Sequence, residues 1–185
     1  MIGDKERIHG QLLVLRFQRG DAAAFEELIK VWEKRLFFYL RRLVDQEADA
    51  WDVLQKTWVK VMGGLKSLKQ SQSLPSWLYT VARNTAIDHQ RGLRRIPAHQ
   101  SLKSAELEEP LCVAEEPELV LDDVEAVHAA LGKLSIEHRE ALTLYFLQDL
   151  GLKEIAEVVG TNVGTVKSRL HYARKALRAL LQEDT

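Results

Sequence analysis

Residues 160–177 read GTNVGTVKSRLHYARKAL, and this stretch decides the fold of the chain. Its apolar side chains continue to residue 180 at steps of four and three, the spacing of one buried helix face: Val166, Leu170, Ala173, Leu177 and Leu180. No acidic residue lies between Val163 and Leu181. One face of this helix can therefore be buried while the other offers cations, hydroxyls and an imidazole to an anion.

A shorter helix is predicted just upstream, over residues 152–159. Gly151 stands at its N-cap position, and Glu154 three residues later can reach back to it. Gly160 can take the positive φ that ends this helix, and Thr161 or Asn162 can cap the next one. Two helices joined by such a short, glycine-containing turn match the helix-turn-helix pattern, whose second helix enters the major groove of DNA. The alternative, on periodicity alone, is an ordinary helical hairpin whose basic side is solvated.

Composition narrows the class of protein. Apolar residues make up 46% of the 185-residue chain and charged residues 29%, as in a globular protein. No segment has the length and apolarity of a membrane span or a secretory signal, and the single cysteine, Cys112, cannot form an internal disulfide. We therefore expect a cytoplasmic protein. No phosphate-binding glycine loop, zinc-protease motif or nucleophile with a base is present, so we expect no catalysis, metal or cofactor.

The net charge of −1 conceals a strong segregation. Residues 1–95 hold 17 Lys and Arg against 11 Asp and Glu, residues 96–125 hold 1 against 9, and residues 126–185 hold 8 against 7. This pattern predicts an N-terminal domain (1–95), an acidic linker (96–125) and a C-terminal domain (126–185), with two nucleic-acid-facing modules. The linker is either a solvated spacer or a mimic of nucleic acid.

Helical spacing dominates the first domain, and no alternating strand pattern is evident. The predicted helices span residues 8–19, 22–44, 47–64 and a segment that begins near Pro75. Further helices are expected over 118–131 and 135–147. Trp51 is placed on the inner side of the third helix, and Tyr145 and Phe146 are expected to pack against the helix-turn-helix. The expected fold class is all-α, with two small helical domains joined by a flexible acidic linker.

The turn and recognition helix closely resemble the C-terminal helix-turn-helix of bacterial sigma factors, and the compact extracytoplasmic-function type most of all. Three N-terminal motifs resemble successive parts of sigma region 2. These are GDxxAFEEL (20–28), DVLQKTW (52–58) and WLYTVARNTAIDxxR (77–91). The resemblance implies that residues 1–95 are region 2, a helical bundle, and that residues 126–185 are region 4. It covers nearly the whole chain outside the linker.

By resemblance, the third helix docks on core RNA polymerase. The implied residues are Asp52, Gln55 and Lys56, and polar groups at the edge of an aromatic-rich helix suit a specific interface. Trp51 and Lys56 depart from the family, which commonly has acids there. An ordinary solvated helix face is the alternative interpretation.

The fourth helix is implied in opening and reading the −10 element. The candidate residues are Tyr79, Arg83, Asn84, Asp88 and Arg91. Asn84 and Asp88 can pair with base edges, while Arg83 and Arg91 can hold phosphates. Tyr79 is a stacking candidate with an equally good structural alternative. Leu74 stands where the family often has an aromatic residue.

The recognition helix is expected to read the −35 element as duplex DNA. Its candidate residues are Thr165, Lys167, Ser168, Arg169, His171, Arg174 and Lys175. Lys167, Ser168 and His171 lie where base edges are reached, and the arginines and Lys175 are assigned to phosphates.

The implied function is promoter-specific transcription initiation with core RNA polymerase, promoter DNA and an anti-sigma protein as partners. Two alternatives stay open. One is a sigma-like decoy that sequesters an anti-sigma protein, although a decoy has no need of a basic recognition face. The other is a helix-turn-helix transcriptional regulator, which leaves the tryptophan-rich N-terminal 95 residues unexplained.

Overall fold

The structure, a computed structural model, describes residues 4–69, 73–94 and 130–183. Within these ranges every regular element is helical, which confirms the all-α prediction. The helices are α1 (Asp4–Gln18), α2 (Ala23–Leu43), α3 (Glu47–Leu65), α4 (Leu74–Arg94), α5 (Ile136–Leu142), α6 (Leu152–Val159) and α7 (Val163–Glu183). A π-helical turn (Thr143–Leu147) follows α5. The predicted linker, and the predicted helix 118–131 except its last two residues, lie outside the described residues. None of the described helices is both long and apolar enough to cross a membrane.

Helices α1–α4 form what we call the N-terminal bundle. Its centre is the buried stripe of α2, which the helical spacing predicted: Leu28, Trp32, Leu36, Tyr39 and Leu40. Gly20 has a φ of 97° and ends the turn after α1. Asp21 then accepts a hydrogen bond from the Ala23 N–H at 3.1 Å, so the predicted start of α2 is correct to within a residue.

Helices α5–α7 and the π-helical turn form the C-terminal bundle. Its core consists of apolar side chains from α6 and α7: Ile155, Val159, Val166, Leu170 and Ala173. Helix α5 packs against α7, and α6 packs against both α7 and the π-helical turn. Ser135 caps α5 by accepting a hydrogen bond from the His138 N–H at 3.3 Å.

The π-helical turn is a feature that the spacing did not predict. The Gln148 N–H donates to the Thr143 carbonyl at 3.0 Å, five residues back rather than four. The extra residue rotates the following side chains around the helix axis. Asp149, with a φ of 54°, then ends the turn.

Two expectations about burial are wrong. Phe146, which we expected to be buried, lies in the π-helical turn and is 50% exposed. Trp51, which we placed on the inner side of α3, is 44% exposed. Its ring stacks on Phe37 with centroids 4.1 Å apart, at the edge of the bundle rather than inside it. Periodicity locates a helix face but does not say how far a neighbouring helix extends over it.

The two bundles pack directly against each other. Helix α4 contacts α6, and α2 contacts both α5 and the π-helical turn. The buried apolar residues of the two bundles form one continuous cluster. The predicted division of the chain into two modules therefore does not mean that the modules lie apart.

Candidate nucleic-acid interface

The turn between α6 and α7 has the geometry that the sequence predicted. Gly160 adopts φ 69° and ψ 42°, in the left-handed region that glycine accepts without steric cost. The Thr161 N–H then donates to the Ala156 carbonyl at 3.0 Å. The side-chain oxygen of Asn162 accepts from the Thr165 N–H at 2.8 Å and so caps α7. Helices α6 and α7 thus form a helix-turn-helix.

The start of α6 is also held as predicted. The Gly151 N–H donates to Oε2 of Glu154 at 3.0 Å, which satisfies one of the free N–H groups at the helix N-terminus. Gly151 has no side chain to return the bond, so only one half of a capping box is made.

The outer face of α7 presents polar and cationic groups to solvent. Lys167 and Lys175 are exposed. Ser168 and His171 are half-buried between them; the Ser168 hydroxyl donates to the Gly164 carbonyl at 3.3 Å, and the His171 ring meets Tyr172 edge-on at 5.4 Å. These groups lie on one side of the helix, opposite the buried stripe. This surface is available to a nucleic-acid duplex.

Two of the residues predicted to contact phosphates, Arg174 and Arg169, are half-buried rather than fully exposed. The guanidinium of Arg174 sits over the rings of Tyr145 and Phe146, 5.5 and 5.0 Å from their centroids. Its Nε is buried and makes no hydrogen bond. Arg169 is half-buried and lies close enough to α5 to affect His138. Burial lowers the pKa of His138, Glu137 opposes that shift, and Arg169 adds to it.

The predicted polymerase-docking residues lie on the outer side of α3. Gln55 and Lys56 are exposed, and Asp52 is half-buried. The Lys56 ammonium donates to Asp52 at 2.6 Å. This hydrogen bond lowers the pKa of Asp52, while partial desolvation opposes the shift. Lys56 thus pairs with its neighbour one helical turn away.

A cleft of about 620 Å³ lies along the surface between α3 and the C-terminal half of α4. Its lining combines apolar and charged side chains, including Lys56, Val59, Lys60, Asp88 and Leu93. Lys60 pairs with Asp88 at 3.0 Å. One docking candidate and one −10 candidate therefore line the same cleft.

The −10 candidates on α4 divide into two groups. Asn84, Asp88 and Arg91 share an exposed face, as their spacing predicted. Tyr79 and Arg83 lie on another side of α4, which is covered by the C-terminal bundle. Tyr79 is fully buried.

Tyr79 and Arg83 both bond to residues of the C-terminal bundle. The Tyr79 hydroxyl donates to the side-chain oxygen of Gln148, and burial raises the pKa of Tyr79, with Arg35 opposing the shift. The Arg83 Nε donates to Oε1 of Glu140 at 2.9 Å. In this arrangement the Tyr79 ring is part of the buried core, as the structural interpretation of this residue expected, and it is not exposed for stacking on a base.

Sequence reasoning did not identify Glu140 as a buried residue that bonds the two bundles together. Its side chain is 3% exposed, and its Oε1 also accepts from the hydroxyl of Tyr39 at 2.6 Å. Burial and the nearby carboxylate raise the pKa of Tyr39 well above its ordinary value. No local signal in the sequence marks this burial, because Arg139 and Ala141 flank Glu140 and the preceding turn holds Glu137 and His138.

Glu154 was identified only as a capping residue. It also accepts two hydrogen bonds from the Arg7 guanidinium, at 2.8 and 3.0 Å, and one from the Ser73 hydroxyl at 2.6 Å. Burial alone would raise the pKa of Glu154. The hydrogen bonds from Arg7, Ser73 and the Gly151 N–H outweigh it and hold the pKa at about 2.

Comparison with protein families matches two parts of the chain. Residues 28–96 match Sigma-70 region 2, and residues 124–177 match Sigma-70, region 4. The RNA polymerase sigma-H factor of Pseudomonas aeruginosa is 35% identical over 180 residues, which cover 93% of each chain. The ECF RNA polymerase sigma-E factor of Escherichia coli is 31% identical, covering 93% of this chain and 94% of the relative.

Solved structures share the fold. CnrH in complex with the cytosolic domain of CnrY aligns over 96% of this chain and 99% of that one, with a TM-score of 0.70 at 24% identity. The sigma factor RpoE of Bartonella quintana, in complex with the anti-sigma factor NepR, aligns over 87% and 98%, with a TM-score of 0.66 at 25% identity. Taken with the helix-turn-helix and the two matched regions, these findings show that the chain belongs to the extracytoplasmic-function class of the sigma-70 family of RNA polymerase sigma factors.

Proposed function

We propose that the chain binds core RNA polymerase and directs promoter-specific initiation, reading the −35 element as duplex and the −10 element as separated DNA. The observation that carries the proposal is the exposed, cationic outer face of α7 on a capped helix-turn-helix, in a chain of the sigma-70 family. Bond formation belongs to the polymerase, and we expect the chain itself to need neither a metal nor a cofactor.

The −35 element is read by the first turns of α7. Lys167, Ser168 and His171 reach base edges from the outer face, as side chains near the start of a recognition helix do. The surrounding contacts go to phosphates and fix the position of the helix on the duplex. The assigned residues are Thr165, Arg169, Arg174 and Lys175.

The −10 element is read along α4. The amide of Asn84 and the carboxylate of Asp88 offer hydrogen bonds to base edges, and Arg91 lies one turn further along the same face for a phosphate. Tyr79 and Arg83 can join this set only when the C-terminal bundle moves away, because both are bonded to it.

Core polymerase docks on the outer side of α3, through Asp52, Gln55 and Lys56. A partly apolar surface with polar groups at its edge is typical of a specific protein interface. The neighbouring cleft, with Val59 and Leu93 in its lining, adds apolar surface to this face. Residues 1–95 and 126–185 act as the two DNA-reading domains, joined by the acidic linker 96–125.

An anti-sigma protein is the remaining partner that we propose. CnrH and the Bartonella RpoE are both described in complexes, and the partner of RpoE is called an anti-sigma factor. Since core polymerase and promoter DNA are cytoplasmic in bacteria, the proposed site of action is the cytoplasm.

Titration of purified bacterial core polymerase against the fluorescently labelled chain tests the docking. We expect saturable binding that Gln55→Ala weakens by roughly 1–2 kcal/mol, the loss of a central interface contact. Gln11→Ala is the matched control, since Gln11 is an exposed glutamine on α1. Absence of saturable binding by the unmodified chain would reject the docking and favour the decoy.

A further inference from the structure

We infer that His89 is a positioning residue for polymerase docking: from α4 it reaches between Asp49 and Asp52 of α3 and fixes the orientation in which Asp52 meets core polymerase. The effect on docking rests on the proposed function, whereas the effect of His89 on the Asp52 side chain does not. Sequence reasoning assigned no role to His89.

The His89 ring lies between two carboxylates of α3. Its side chain is only 11% exposed and lines the cleft between α3 and α4. Nε2 lies 3.3 Å from Oδ1 of Asp49, and Nδ1 lies 3.5 Å from Oδ2 of Asp52. The two acids are three positions apart, so they lie on one face of the helix. The imidazole therefore faces one carboxylate with each of its nitrogens.

The chemistry of the ring suits the holding of a carboxylate. Nε2 is buried and makes no hydrogen bond to a described residue, so its contact with Asp49 is one of charge and close packing. Only a protonated imidazole has an N–H donor for each of two carboxylates. Because burial restricts a side chain to few rotamers, the ring is a firm support for Asp52.

Two basic side chains approach the same oxygen of Asp52. Lys56 donates to Oδ2 at 2.6 Å, and the Nδ1 of His89 lies near that oxygen, so neither contact uses Oδ1. The hydrogen bond from Lys56 lowers the pKa of Asp52, partial desolvation opposes the shift, and the His89 ring adds to it. An ionised carboxylate with one oxygen held from behind can present the other oxygen to a donor on the polymerase.

His89 is better suited than Lys56 to hold Asp52 while polymerase is bound. The Lys56 side chain is 54% exposed, and an ion pair of this exposed kind holds its geometry weakly. Lys56 is also a proposed docking residue, so a group on the polymerase can draw its ammonium away. The buried ring stays in place, and a side chain that is already oriented costs less entropy to bind.

The same two helices carry a second contact of this kind in the opposite direction. Lys60 of α3 lies 3.0 Å from Asp88 of α4, which is assigned to the −10 element. Each contact thus joins an assigned carboxylate on one helix to a basic side chain on the other. The helix proposed to read the −10 element therefore also supports the docking carboxylate of α3.

NMR three-bond couplings of Asp52, measured on the full chain, test the positioning without polymerase. The unmodified chain should show a single χ1 rotamer, and His89→Ala should show an average over several. Lys56→Ala should keep the single rotamer because the ring remains. His9→Ala is the control, since His9 is an exposed histidine on α1. Unchanged Asp52 couplings in His89→Ala would overturn the inference.

A double-mutant cycle on core polymerase binding tests the effect on docking. His89→Ala should weaken binding about fivefold when Asp52 is present and leave it unchanged in the Asp52→Ala background, as expected for coupled neighbours. His89→Gln keeps one N–H donor and should recover part of the loss. An equal loss in both backgrounds would overturn the inference, because His89 would then act independently of Asp52.

A second variant protects both tests against misfolding. His89→Leu keeps much of the bulk of the ring and removes both nitrogens, and circular dichroism shows whether each variant keeps its helices. If His89→Ala loses helix, His89→Leu replaces it and the same outcomes decide. A chain that binds no core polymerase would reject the proposed function. The NMR couplings would then decide the inference alone: rotamer averaging in the variant supports the positioning role, and an unchanged rotamer refutes it.

Discussion

The Glu154 carboxylate lies 2.8 Å from the Arg7 guanidinium, although 147 positions separate the two residues in the chain. The same carboxylate caps α6 through the Gly151 N–H. One side chain therefore positions the helix-turn-helix and fastens it to the first helix of the N-terminal bundle. The same carboxylate thus contributes both to the local structure at the start of α6 and to the packing of the two bundles.

Lowering the pH should weaken the contact between the Glu154 carboxylate and the Arg7 guanidinium. The pKa of Glu154 is about 2 in the folded chain against 4.5 for a free glutamate, so the unfolded state binds more protons between these values. The stabilisation is complete above about pH 4.5 and is lost as the pH falls toward 2. Unfolding of the unmodified chain and of Glu154→Gln, which keeps an oxygen for the cap, should be compared across this window. The slope of unfolding free energy against pH should be smaller for Glu154→Gln; equal slopes would contradict the assignment.

Lys167→Ala should relax sequence preference at one position of the −35 element. A lysine that pairs with a guanine contributes roughly 1–3 kcal/mol of discrimination, which disappears when the ammonium is removed. Binding to duplexes with single base changes measures this effect. Lys153→Ala, at an exposed lysine on α6, is the control. If Lys167→Ala weakens binding equally on all sequences, the lysine contacts phosphate instead.

Arg174→Ala should have two separable effects. Loss of a phosphate contact should lower the slope of log affinity against log salt by about one. Loss of the guanidinium over Tyr145 and Phe146 should also reduce the free energy of unfolding by roughly 0.5–1 kcal/mol. Urea unfolding without DNA and binding at several salt concentrations measure the two effects independently. A reduced stability with an unchanged salt slope would assign Arg174 to packing alone.

Gly160→Ala should destabilise the helix-turn-helix by about 1–2 kcal/mol, because a side chain at φ 69° meets the backbone. Gly63→Ala is the matched control. Gly63 lies inside α3 with open space around its Cβ position, so alanine there should stabilise the chain by about 0.5–1 kcal/mol. Thermal unfolding of both variants measures the contrast. Two shifts of the same sign would contradict the role of the positive φ.

The local structure of this chain could be predicted from its sequence because it depends on neighbours in sequence. Helical periodicity located α2, α3 and α7, and the preferences of Gly160 and Asn162 located the turn between α6 and α7. These features involve steric and hydrogen-bonding rules that act over a few residues.

The arrangement of the bundles could not be predicted in this way. The bonds of Glu140 to Tyr39 and Arg83 span 101 and 57 positions, and no local preference encodes such a pair. Helical periodicity assigns residues 143–147 to an ordinary α-helix, so it predicts neither the π-helical turn nor the exposure of Phe146 within it. The fold class and the candidate DNA-reading helix thus came from local patterns, whereas the masking of Tyr79 required the structure.

Run-off transcription with purified bacterial core polymerase, on the DNA upstream of the gene, tests the central claim most directly. The account predicts a defined transcript that requires both the core and this chain, and that disappears when the −35 or −10 bases are changed. It also predicts a weaker transcript with Gln55→Ala and an unaltered one with Gln11→Ala. A core polymerase that binds neither the chain nor the promoter in its presence, and makes no transcript, would contradict the account.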